Sequence, residues 1–65
     1  MSANNFLLIK QNKEHPIFEV FEVDADTGYK NHLEEYDTLE EAVKFAELYS
    51  SEEFVEYGTH FELLN

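Results

Sequence analysis

One stretch of the chain, Tyr36 to Tyr49 (YDTLEEAVKFAELY), carries a helical period, and nearly everything around it is patterned for strands. Thr38 suits the N-cap, and Glu41 three residues later completes a capping box. Asp37, Glu40 and Glu41 gather carboxylates at the first turn, where the positive end of the helix dipole favours them. Leu39, Ala42, Val43, Ala46 and Tyr49 recur at i, i+3, i+4, i+7 and i+10, which makes one narrow apolar stripe. The two alanines in that stripe let a helix lie close against a sheet. The spacing predicts a single helix ending near Ser50-Ser51 and covering the strands on either side of it.

Those strands can be read in order. Residues 1–4 are polar and are expected to fray. Asn5 to Gln11 is a first strand, with Phe6, Leu7, Leu8 and Ile9 consecutive and therefore expected to be buried on both sides. Asn12 to Pro16 holds the only proline and reads as a turn. Ile17 to Val23 is a second strand, in which Ile17, Phe21 and Val23 oppose Phe18 and Val20 across the pleat. In the next turn, Asp24 to Gly28, both aspartates are candidates to cap backbone amides, and Gly28 supplies a positive φ. Tyr29 to Tyr36 is a weaker third strand, with Tyr29, Asn31 and Leu33 on one face. After the helix, Val55, Tyr57, Thr59, Phe61 and Leu63 alternate with Glu56, Gly58, His60 and Glu62, a last strand of period two. Gly58 within it suggests a bulge or the close approach of another backbone. The fold class expected is α+β, a small antiparallel-rich sheet of order βββαβ with one helix packed on a face, in a single domain over residues 1–65.

A chain of 65 residues buries only roughly 60% of its unfolded surface, so its stability alone is expected to be marginal. It has no cysteine, which removes disulfides and thiolate metal sites as supports. Ten aromatic residues partly compensate, and a partner or a second copy is the remaining support.

Charge restricts function further. Fifteen Asp and Glu face four Lys and no Arg, a formal charge of −11 at pH 7. Disorder is excluded because 43% of the residues are hydrophobic and fall in regular periods. Direct nucleic-acid binding needs clustered basic residues, and the four lysines are scattered. Anionic membrane surfaces are disfavoured for the same reason. With no bilayer-length apolar run and no signal peptide, the expected location is the cytoplasm.

Little in the chain suggests catalysis. His15, His32 and His60 lie in a turn and two strands without ligand-like spacing, His60 beside Glu62 on the charged face and His32 on the outer face of the third strand. The stretch Asp24-Ala25-Asp26-Thr27-Gly28 begins like a calcium loop but lacks the closing bidentate Glu, so a turn is the better reading. No glycine-rich phosphate loop is present. The expectation is a non-enzyme with no cofactor, no catalytic residue and no metal ligand.

What remains is acid in two groups. Glu19, Glu22, Asp24, Asp26, Glu34 and Glu35 form one expected band; Glu40, Glu41, Glu47, Glu52 and Glu53 form another along the helix and its exit. Carboxylates in such bands can stand in for phosphates and pair with Arg and Lys lining a basic groove. On a helical wheel Leu48 falls opposite the core stripe and Phe45 at its edge, a possible apolar contact rimmed by Glu41, Lys44 and Glu52.

With those features in view, the chain resembles the short acidic ββ(β)αβ proteins encoded by bacteriophages and mobile elements, several anti-CRISPR proteins among them. The likeness rests on Tyr36-Asp37-Thr38-Leu39-Glu40-Glu41-Ala42 and on Val55-Glu56-Tyr57-Gly58-Thr59-His60-Phe61. It covers the C-terminal half and carries over no site residue. The resemblance implies an inhibitor that blocks the DNA-binding surface of a host nuclease or surveillance complex. The alternatives are a homodimeric interaction module using Phe45, Leu48 or a sheet edge, and a small ligand- or metal-binding domain using His32 and His60.

Overall fold

The computed structural model describes residues 4–64. Its elements are β1 (Asn5–Gln11), β2 (Phe18–Asp24), β3 (Lys30–Tyr36), α1 (Leu39–Glu52) and β4 (Thr59–Glu62), the βββαβ order expected. The fraying expected for residues 1–4 falls largely outside the described residues. Asn4 itself is tied down, since its carbonyl accepts from the Ala25 N–H at 2.8 Å.

The four strands form one mixed sheet of order β3-β2-β1-β4. β1 pairs antiparallel with β2 and parallel with β4, so the first strand is interior. Because facing residues share a side of the sheet, register assigns the faces. Leu7, Ile9 and Gln11 stand opposite Glu22, Val20 and Phe18 on the side that meets the helix. Phe6, Leu8 and Lys10 stand opposite Val23, Phe21 and Glu19 on the other side.

The helix begins as its cap demands. The Glu41 N–H donates to Thr38 Oγ1 at 3.2 Å, and the same hydroxyl donates to Glu41 Oε1 at 3.0 Å. The glutamate thus closes on the threonine hydroxyl, a variant of the reciprocal box. Ala42 and Ala46 are buried against Leu7, Ile9 and Val20, and these five make the core. Leu33, Tyr36, Leu39, Val43, Phe45, Tyr49 and Val55 pack around them half-buried. The helix runs one residue past the expected end, and the Glu53 N–H closes it on the Tyr49 carbonyl at 2.7 Å.

Three expectations need correction. The last strand spans only Thr59–Glu62, not Val55–Leu63. Glu56 and Tyr57 bend, and Gly58 sits at φ +76°, a left-handed conformation that interrupts the extended run. Only single backbone bonds reach β1 there, from the Tyr57 N–H to the Asn5 carbonyl and from the Leu7 N–H to the Gly58 carbonyl, both at 2.9 Å. No neighbour lies within 4 Å of where a Gly58 Cβ would stand, so the glycine serves the turn and not a close approach. Second, the first strand is not buried on both sides: Leu7 and Ile9 are fully enclosed, but Phe6 and Leu8 are only half-buried. Their face of the sheet is open, since no described element packs on it. Third, β3 starts at Lys30, leaving Tyr29 in the turn and 69% exposed.

β3 also carries a bulge. Its register against β2 slips between Val20 and Phe21, with Glu34 opposite Val20, His32 opposite Phe21 and Leu33 as the extra residue. Leu33 packs into the core, and His32 and Glu35 both come to lie on the open face beside Phe21 and Glu19.

Asn5 joins three segments at one end of the sheet. Its side chain donates to Glu22 Oε2 and accepts from the Glu56 N–H at 3.1 Å, while its carbonyl accepts from the Tyr57 N–H at 2.9 Å. At the other end Gln11 Oε1 accepts from the Leu64 N–H at 2.9 Å. The short β4 is therefore clamped at both ends by side chains of β1.

Candidate acidic interface

The fold separates carboxylates that the sequence groups together. In the first band, Glu19 and Glu35 face one another across β2 and β3 on the open side of the sheet. Glu22 lies on the helix side, where its carboxylate accepts from the Tyr49 hydroxyl at 2.9 Å and from Asn5. Asp24 is engaged as well: its Oδ1 accepts from the N–H groups of Asp26 and Thr27 at 2.9 and 3.0 Å, closing the turn in which Gly28 takes φ +77°. That settles its part in the turn, and Asp26 is left exposed at the tip. Glu34, also exposed, stands opposite Val20 on the helix side of β3. The first band is therefore not a continuous surface. Two of its members support the fold, two face the open sheet, and two remain free.

The second band is more coherent. Glu40, Glu41, Glu47 and Glu52 are all exposed on one helix. Glu40 and Glu47 are two turns apart, and Glu41 and Glu52 flank Leu48, which is 64% exposed. Tyr36, Glu41, Lys44, Phe45 and Leu48 line a shallow hollow of about 300 Å³. Within it Phe45 is half-buried, its ring 5.9 Å from those of Tyr36 and Tyr49. Phe45 is thus mainly a packing residue, and Leu48 is the free apolar group. Glu53 caps the helix and leads away from it.

Electrostatics make this helix unusual. Among the described residues, the ion pairs within 4 Å all involve His32, with Glu19 and Glu35, and none joins a lysine to a carboxylate. The last helical turn holds no basic residue, so Glu52 and the adjoining Glu53 meet the negative end of the dipole uncompensated. Two phenols beside the helix are also raised, by desolvation first and by nearby carboxylates second. Partial burial, then the hydrogen bond to Glu22, then the charges of Glu22 and Glu53 push the Tyr49 hydroxyl up to about 12. Partial desolvation, followed by the charges of Glu34 and Glu41, raises Tyr36. Glu34 is thereby an electrostatic neighbour of the helix band.

Replacing Glu52 by lysine is expected to stabilise the free protein by about 0.3–1 kcal/mol, because a cation then meets the dipole's negative end. In a domain of this size that corresponds to a rise in melting temperature of roughly 1–8 °C, readable by circular dichroism. An unchanged or lower melting temperature would contradict the account of Glu52.

Compared with known proteins, the chain matches no family model, no curated protein and no solved structure.

Proposed function

We propose that this chain is a non-enzymatic, phage-type acidic protein of the host cytoplasm that mimics DNA. In this reading it occupies the basic nucleic-acid-binding surface of a host defence complex and inhibits it. The observation that carries the reading is the exposed carboxylate row of α1, which has no lysine paired to it and continues to the helix end where the dipole opposes it. Charge needed only for solubility has no reason to collect at that end. A basic groove would neutralise the row, and the long-range field of −11 would speed the encounter. Leu48 and the hollow beside it would add a small apolar contact within the charged rim. Glu34 and Asp26 extend the row, while Glu22 and Asp24 serve it only through the fold.

The test is capture on the immobilised chain from a bacterial lysate, with washes at about 0.1 M and then about 0.5 M salt, which cuts the Debye length to less than half. The expected result is a nucleic-acid-binding protein that is held at low salt, shed at high salt and displaced by added DNA. Reversing Glu40, Glu41 and Glu47 to lysine together is expected to slow its association roughly 10- to 1,000-fold. Unchanged capture by the triple variant would sink the proposal.

A second reading draws on the open sheet face, where Phe6, Leu8 and Phe21 are half-buried beneath no other element. A homodimeric interaction module would cover that face with a second copy. It is favoured if the chain sediments as a salt-resistant dimer and the triple variant behaves like the parent.

A further inference from the structure

We propose that Glu19, His32 and Glu35 form a binding site for a divalent transition-metal ion of the zinc class on the open face of the sheet. His32 Nε2 lies 3.4 Å from Glu19 Oε2 and 3.7 Å from Glu35 Oε1. One ligand atom from each residue falls within 4.8 Å of the other two. An ion held by nitrogen and oxygen at about 2.0–2.2 Å spaces tetrahedral ligands about 3.3–3.6 Å apart. The His32–Glu19 spacing falls within that range and the His32–Glu35 spacing just beyond it, so a small rotation of the exposed Glu35 side chain brings all three ligands to one ion. As hydrogen bonds they are poor, being longer than the usual N–H···O range.

The backbone is built to bring these groups together. Residues three apart in a regular strand point to opposite faces. Here the bulge at Leu33 inserts one residue between His32 and Glu35, so both side chains share the open face with Glu19. Re-aiming a side chain is a recognised use of a bulge. The result also sets two glutamates directly opposite one another, a like-charge pair that destabilises a sheet unless a cation joins them.

Neighbours outside the trio hold two of its members in place. Asn12 Nδ2 donates to Glu19 Oε1 at 3.3 Å, leaving Oε2 to face His32. Phe21 packs edge-on against the His32 ring, with centroids 5.2 Å apart and planes at 82°. Supports of this kind orient metal ligands. One imidazole with two carboxylates suits zinc, cobalt, nickel or copper; magnesium and calcium prefer oxygen alone. Three protein ligands leave a fourth position for water. The site is independent of the DNA-mimic reading, whose helix lies on the other side of the sheet.

The test uses the tag-free chain, stripped with chelator and titrated with zinc chloride by calorimetry at about 0.1 M salt, where counterion effects at exposed charges are screened beyond roughly 10 Å. A single saturable zinc site is expected, with no comparable heat from magnesium or calcium. His32→Asn and Glu35→Gln should each weaken it by about ten-fold or more, a loss at least that of outer-shell changes. Glu40→Gln, which removes the same charge elsewhere, should leave it unaltered. Equal losses in Glu35→Gln and Glu40→Gln, or unchanged binding in His32→Asn, would reveal diffuse counterion binding and overturn the proposal. Should a variant unfold, cobalt added to the ¹⁵N-labelled parent decides: broadening confined to β2 and β3 supports the site, and broadening along the helix refutes it.

Discussion

Leu7→Ala is expected to remove most of the stability of this protein. Leu7, Ile9 and Val20 are its only fully buried large side chains among the described residues, and all three lie beneath Ala42 and Ala46. Truncating a leucine in such a place costs about 2–5 kcal/mol, because the lost transfer energy is joined by a cavity the neighbours cannot fill. A domain of this length has roughly 3–10 kcal/mol in total at ordinary stability per residue. The urea midpoint should therefore fall sharply, with no folded baseline left in the severe case. Leu8→Ala is the internal comparison, since it makes the same chemical change one residue away on the open face. It should cost less than half as much. Equal costs would show that Leu8 is covered in solution, which would point to a second copy on that face.

The second large effect concerns alkaline pH. Tyr49 donates to Glu22, and a hydrogen bond to a charged acceptor contributes on the order of 1.5–3 kcal/mol. Tyr49→Phe should lower stability by about that much near pH 8, in the upper part of that range if Glu22 finds no other donor than Asn5. The parent should then lose this advantage as pH rises. Its folded phenol titrates at about 12, above the ordinary value of 10.0, so the protonated form is the one that folding favours. The stabilisation is complete below pH 10, where the unfolded chain also keeps its proton, and declines between about pH 10 and 12. Urea midpoints for parent and variant should converge across that window. Tyr36 is raised in the same direction, so it adds a decline of its own that persists in the variant. Parallel curves would mean that the Tyr49–Glu22 bond contributes little.

What could be read from the sequence follows the range of the interactions involved. The helix, its Thr38 cap, the first strand and the Asp24–Gly28 turn are written in periods and spacings of a few residues, and the structure keeps them nearly to the residue. The last strand misled because alternation in Val55–Leu63 persists through a stretch whose backbone is bent at Gly58. Period alone does not report pairing. The acidic bands were legible as charge and not as surfaces, since Glu22 looks like its neighbours until Tyr49 and Asn5 are found beside it. Asn5 gave no local signal at all. The nearness of His32 to Glu19 and Glu35 was hidden for a related reason: a spacing of three suggests opposite faces, and only cross-strand register reveals the slipped residue.

The parallel pairing of β1 with β4 has a bearing on how the chain reaches this fold. Leu7 can meet Thr59 only after the two hairpin-linked neighbours and the helix have been laid down between them. β1, β2, β3 and the helix can assemble as soon as each follows the last, but the fourth strand must close the longest loop in the molecule for four residues of pairing. During synthesis the free edge of β1 therefore stays exposed until β4 has left the ribosome. Over that interval the partly made sheet offers its most apolar strand to any extended segment nearby, a period in which a trapping chaperone or a sister chain competes with the native fourth strand.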